Sequence, residues 1–197
     1  MLGFDIAGYV IFALVTSITP GPNNYLLFSY GKKYGLKDSG KLMLGISLGF
    51  SVLLYIAGYG IGKIVTESKT VAIIFKVICS LWLFYLAIIL SKIQSKETDN
   101  NVVKAGFYQG FLMQFVNPKA WIMAISSAGA FLPHLSNIHL SVFVYTILFA
   151  MVGAPCMISW VSFGDAISKI LTSEKSNKIL GVILFVLMLS SIAMIWM

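Results

Sequence analysis

Arginine is absent from the 197 residues, and all fourteen basic side chains are lysines. Guanidinium groups grip phosphates through paired hydrogen bonds, so this absence argues against a surface built for nucleic acid, despite the net charge of +7. Acidic residues number only seven, and none stands in the middle of an apolar run. Asp5 and Asp165 sit at the ends of such runs and the other five lie between them, so no carboxylate proton relay is visible at mid-membrane depth. Cysteine is limited to Cys79 and Cys156. Both fall inside apolar runs and read as small core residues, not as a disulfide framework. The two histidines, His134 and His139, share one polar link and offer no metal-ligand pattern, so neither metal nor cofactor is expected. No lysine lies in Met1–Asp5, so the first apolar run lacks a basic leader region and is expected to be a retained span.

What is abundant is apolar surface. Hydrophobic residues make up 58% of the chain and mean hydropathy is +0.90, which indicates an integral membrane protein. A hydrocarbon core takes roughly 20 helical residues to cross, and six runs of that size use most of the length. They cover about residues 4–28, 42–61, 71–90, 105–131, 140–163 and 179–197. The predicted fold is thus an all-α polytopic membrane protein with six transmembrane helices in one domain, 1–197. Lys32, Lys33, Lys37 and Lys41 read as a loop after the first run, and Lys169, Lys175 and Lys178 as a loop before the last. The second run has Gly45 and Gly49 four apart, then Gly58 and Gly62, a spacing that lets another helix come close. The last run is nearly all aliphatic and suits a lipid-facing scaffold helix.

A polar connector at about 93–104 divides the chain into halves, 1–92 and 105–197, of three spans each. Ten lysines lie in the links after spans one, three and five, against two, Lys63 and Lys69, after spans two and four. The positive-inside bias puts both termini outside. The two halves then have opposite orientations, the arrangement of an inverted repeat. A shift of 98 positions agrees: Ala7-Gly8-Tyr9 falls on Ala105-Gly106-Phe107, Thr16 on Gln114, and Pro20 on Pro118.

Those two prolines mark the stretches that lipid should not tolerate. Thr19-Pro20-Gly21-Pro22-Asn23-Asn24 interrupts span one, and Asn117-Pro118-Lys119 interrupts span four. Proline has no N–H and clashes with the turn before it, so the carbonyls of Thr16 and Ile18 lose their helical donors. Broken backbone at membrane depth is tolerated only inside protein or beside a wet cavity. The N–H groups of Asn23, Asn24 and Tyr25 open a new half-helix whose dipole favours a carboxylate, while the stripped carbonyls suit an ammonium. Together they match an amino-acid zwitterion. Gln114, Asn117 and Lys119 form the second constellation, and Lys119 reads as the only lysine well inside a span, where charge is costly and a functional candidate. Trp121 and Trp160 could wall a cavity or simply pack.

The chain resembles the LysE/RhtB family of bacterial amino-acid exporters. The resemblance rests on Thr19-Pro20-Gly21-Pro22-Asn23, the glycine-rich second span, and Gly110-Phe111 followed by Asn117-Pro118-Lys119, and it covers nearly the whole length. It implies a secondary transporter of the bacterial inner membrane, not an enzyme, exporting amino acids or their metabolites at the expense of the proton gradient. Gly45-Ile46-Ser47-Leu48-Gly49-Phe50 and Cys156-Met157-Ile158-Ser159-Trp160 look more like the cysteine/O-acetylserine branch than the lysine/arginine branch. The acidic residue that many members carry in span two is missing, which favours a neutral zwitterion. Carried over by position, Pro20, Gly21, Pro22, Asn23, Asn117, Pro118 and Lys119 become substrate-binding candidates, joined on the reading above by Thr16, Asn24, Gln114 and Trp160. Alternatives are a homoserine/threonine or leucine exporter of the same family, a membrane thiol-disulfide relay, and a structural membrane protein. The relay needs paired cysteines, and Cys79 and Cys156 are not equivalent under the 98-residue shift. Homo-oligomerisation is compatible with the sequence without being specified by it.

Overall fold

The computed structural model describes residues 4–60, 69–95, 106–133 and 135–196. Among them all regular structure is helical. The order is α1 (Ile6–Ile18), α2 (Pro22–Asp38), α3 (Gly40–Gly58), α4 (Lys69–Ser95), α5 (Phe107–Val116), α6 (Pro118–Phe131), α7 (Ile138–Ile170) and α8 (Glu174–Trp196). Four of these, α3, α4, α7 and α8, are long and apolar enough to cross a membrane, and α1 is a shorter apolar helix. The protein is therefore a multi-pass membrane protein. Lys63, Glu67, the polar connector from Lys96 to Lys104 and His134 lie outside the described residues.

Helix ends follow local chemistry. Asp5 caps α1 by accepting from the Gly8 amide at 2.9 Å, and Asn137 caps α7 by accepting from the His139 amide at 2.8 Å. Pro22 and Pro118 each stand at the first position of a helix, where the missing N–H costs nothing. The basic stretches expected as loops are mostly helical. Lys32, Lys33 and Lys37 lie within α2, and Lys41 already belongs to α3. Lys169 lies in α7, and Lys175 and Lys178 in α8. A helix need not stop where its apolar run stops, because lysine is itself a good helix former. The chain bends inside α2 at Gly35, whose φ of 75° favours glycine. Lys119 is not the only lysine well inside a predicted span: Lys76 lies within α4, with its ammonium 5.7 Å from the centre of the Trp196 ring.

Packing relies on close helix approach, since burial against a neighbour offers little over burial in lipid tails. A Cβ on Gly45 would strike the Phe107 carbonyl, and one on Gly110 would lie 2.6 Å from the Leu42 carbonyl oxygen, so α3 and α5 touch backbone to backbone. Gly31 and Gly164 do the same for α2 and α7. Two buried clusters result. One joins α2, α4 and α8 through Leu27, Leu83, Leu90 and Met188. The other joins α1, α3, α6 and α7 through Tyr9, Leu53, Ala124 and Tyr145. In the second, the Tyr9 hydroxyl donates to the Tyr145 carbonyl at 2.8 Å, and the Tyr145 hydroxyl bonds Ser127. Cys79 and Cys156 are buried free thiols. On α8, Leu184 and Met188 pack inward while Val182 and Val186 face out, as a helix at the lipid boundary requires.

Candidate functional site

Between Ile18 and Pro22 the backbone leaves the helix. Thr19 is extended, with φ −65° and ψ 142°, and Gly21 is nearly fully extended, with φ 174° and ψ 177°. Between Val116 and Pro118 the single residue Asn117 does the same, with φ −95° and ψ 106°. These two interruptions meet across one cavity of about 70 Å³. At roughly 10–15 Å³ per water it holds about five water-sized groups, the scale of a small amino acid. Five helices wall it. Thr16 and Ser17 come from α1, Gly21, Asn23 and Asn24 from the start of α2, and Ser47, Phe50 and Ser51 from α3. Opposite them stand Asn117, Lys119 and Met123 around α6, and Phe149, Gly153 and Met157 from α7. Among the described residues, Lys119 is the one charged side chain in this wall, and no carboxylate joins it.

The polar residues of the two interruptions are bound to one another. Asn23 and Gln114 form a reciprocal amide pair, with Asn23 Nδ2 donating to Gln114 Oε1 at 2.8 Å and Gln114 Nε2 donating back to Asn23 Oδ1 at 3.2 Å. Asn117 Nδ2 adds a second donor to Asn23 Oδ1 at 3.2 Å, while Asn117 Oδ1 caps α6 through the Lys119 amide at 3.1 Å. Gln114 is fully buried and Asn117 nearly so, so leaving either unpaired would cost about 1–3 kcal/mol. Lys119 crosses to the other interruption. Its ammonium donates to the Thr19 carbonyl at 2.8 Å, the Thr19 hydroxyl at 2.9 Å and the Pro20 carbonyl at 3.1 Å. Lysine has three protons to give, and here all three are taken.

The carbonyls stripped by the prolines are not left open for a ligand. Thr16 O accepts from the Thr19 hydroxyl at 3.0 Å, Ser17 O from Asn24 Nδ2 at 2.8 Å, and Ile18 O from Trp160 Nε1 at 3.2 Å. Their expected ammonium is supplied by the protein itself, at the next two carbonyls along. Tyr25 N is likewise engaged, donating to Gly21 O at 2.9 Å, so the half-helix offers the amides of Asn23 and Asn24 only.

Of the eleven residues singled out in the sequence, Thr16, Gly21, Asn23, Asn24, Asn117 and Lys119 line the cavity. Pro20, Pro22, Pro118, Gln114 and Trp160 do not line it. They shape or brace its walls. Trp121 is also outside, with its indole donating to the Phe115 carbonyl at 2.9 Å. Ser17, Ser47 and Ser51 were not anticipated. Ser47 and Ser51 stand one helical turn apart in an apolar helix, which is the signal that could have found them.

A protein family described as LysE type translocator matches residues 14–194 of the chain. The cysteine/O-acetylserine efflux protein of Escherichia coli K12 is 27% identical over 167 residues, covering 84% of this chain and 85% of that protein. The protein of the same description from Klebsiella pneumoniae is 24% identical over 165 residues, covering 84% of each. No solved structure matches significantly.

Proposed function

We propose that this chain, which belongs to the LysE-type translocator family, exports a small neutral amino acid or a close metabolite of the cysteine/O-acetylserine kind from the cytoplasm. The observation that carries the reading is the cavity at which the two helix interruptions meet, an apolar-walled space with polar groups from both interruptions. Secondary transporters of many folds bind their substrates at such paired interruptions. Among the described residues the cavity has a single cation and no carboxylate, which supports a substrate that brings a carboxylate and no second ammonium. Thr16, Pro20 to Asn24, Gln114, Asn117 to Lys119 and Trp160 are its proposed residues, some as wall and some as brace.

In this reading α1 with α2 and α5 with α6 are two broken spans, so the fold is a six-span inverted repeat. Helix packing supports it. The first broken pair packs on α7, the middle helix of the second half, and the second broken pair packs on α3, the middle helix of the first. The third helices of the halves, α4 and α8, pack on each other. Such swapped pairing is what a two-fold axis in the membrane plane requires. The proposed setting is the bacterial inner membrane with both termini outside, and the proposed driving force is the proton gradient.

The test loads proteoliposomes with labelled cysteine, O-acetylserine, threonine, leucine and lysine and follows efflux with and without an imposed proton gradient. Efflux of the first two well above that of lysine, and accelerated by the gradient, is expected. Equal release from protein-containing and empty vesicles for every compound overturns the proposal. Faster efflux of threonine or leucine than of cysteine would move the assignment to the sister exporters of the family.

A further inference from the structure

The cavity's polar groups divide into those already spent on the protein and those still free. Lys119 is spent, because all three protons of its ammonium have protein partners, and the amide oxygens of Asn23 and Asn117 are taken as well, while each of these amides gives only one of its two protons and spends it on joining the two interruptions. Asn24 is half spent. Its Nδ2 gives one proton to the Ser17 carbonyl and one to the Thr19 carbonyl, both at 2.8 Å, which fixes the amide plane. Its Oδ1 receives no hydrogen bond from any described residue, although the side chain is only 7% exposed and lines the cavity. Ser17, Ser47 and Ser51 also line the cavity, and their hydroxyls bond no described residue. That is unusual for serines in apolar helices. Ser91, Ser159 and Ser190 turn back on their own helix, whereas Ser29, away from the cavity, is buried with its hydroxyl unpartnered.

An amide oxygen left free on a buried residue of the cavity wall, and three serines there that forgo a local partner, leave a set of unmet hydrogen bonds. From that set, and resting on the exporter reading above, we infer that Asn24, Ser17, Ser47 and Ser51 are the substrate-contacting subsite, while Asn23, Gln114, Asn117 and Lys119 hold the two interruptions together. The free oxygen of Asn24 accepts from the substrate's ammonium. The serine hydroxyls donate to its carboxylate, inside the field of Lys119 but without a proton from it. Phe50, Met123, Phe149 and Met157 enclose a short uncharged side chain. The ligand class is thus a small α-amino acid without a second charge. Recognition is by hydroxyls, and the lysine acts through its charge and its hold on the Thr19 and Pro20 carbonyls.

The test compares wild type with the double variant Ser47→Ala, Ser51→Ala, with Asn24→Asp, and with Ser51→Thr, which keeps a hydroxyl. Efflux kinetics in proteoliposomes are read beside the shift in melting temperature that cysteine or O-acetylserine produces in detergent. A hydrogen bond to a charged group is worth about tenfold or more. The serine double variant is therefore expected to raise KM at least tenfold with an unchanged ligand-free melting temperature, while Ser51→Thr stays within about threefold on the same scale. Asn24→Asp puts an anion where the ammonium docks, and is expected to admit lysine. If the double variant keeps its KM and its ligand-induced shift while Lys119→Met loses both, the substrate displaces the lysine and this inference fails, with the exporter reading intact. Absence of both efflux and ligand shift in the wild type overturns the two together.

Discussion

At Gly21 the need for glycine is one of space. Its backbone is extended, a conformation open to any residue, but an added Cβ would lie 2.9 Å from Lys119 Cδ and 3.1 Å from its Nζ. The obstacle is the tip of a flexible side chain, so the fold can yield and Lys119 moves. Gly21→Ala is expected to fold with a stability loss of about 1 kcal/mol or less, yet to pull the ammonium off the Thr19 and Pro20 carbonyls and lower efflux several-fold. In a Lys119→Met background the same substitution has nothing left to displace. A double-mutant cycle on efflux rate checks this, and additive losses would refute the coupling. Lys119 was legible in the sequence because a charge deep in an apolar run has to have a reason. Its partners were not legible, since they lie a hundred residues away. The free serines were invisible for a different reason: serine in an apolar helix ordinarily bonds its own backbone, and only the cavity shows that these do not.

Between elements, glycine position decides how near two helices come. Gly45, Gly49 and Gly110 face backbone atoms across the α3–α5 contact, and backbone cannot rotate aside. By contrast Gly129, inside α6, would place a Cβ in open space. Gly45→Ala is expected to destabilise by about 1–3 kcal/mol through overpacking, whereas Gly129→Ala is expected to stabilise by up to about 1 kcal/mol from helix propensity alone. Thermal unfolding of the two variants in one detergent, measured side by side, tests the contrast, and similar shifts for both would show that α3 and α5 are not in backbone contact. The i, i+4 pair Gly45 and Gly49 was readable as a close-approach face. Gly31 and Gly164 were not, because Gly31 lies beyond the predicted end of the first span, Gly164 has no glycine one turn away, and the pairing exists only across α2 and α7. The helical lysines of α2 were misread because the end of an apolar run marks where lipid stops, which is not where hydrogen bonding along the backbone stops.

For the whole molecule the decisive quantity is orientation. An exporter's cavity is useful only if it can open inward to fill, and which face is inward follows from where the lysines lie. Ten lysines follow spans one, three and five, and two follow spans two and four. The bias holds although many of these lysines extend helices instead of lying in loops, because depth in the membrane, not helix or coil, sets which side a charge is kept on. The basic end of α2, where Lys32 donates to Asn177 on α8 at 2.7 Å, is then cytoplasmic. The Tyr55, Tyr59 and His139 cluster at the far ends of α3 and α7 faces outward. In this proposed orientation both termini share that outer side. A C-terminal alkaline phosphatase fusion, active only after export, is therefore expected to be active, and a C-terminal green fluorescent protein fusion, which fluoresces only in the cytoplasm, to be dark. The reverse pattern would invert the two halves in the membrane, put the lysine-rich ends outside, and turn the same cavity into that of an uptake system.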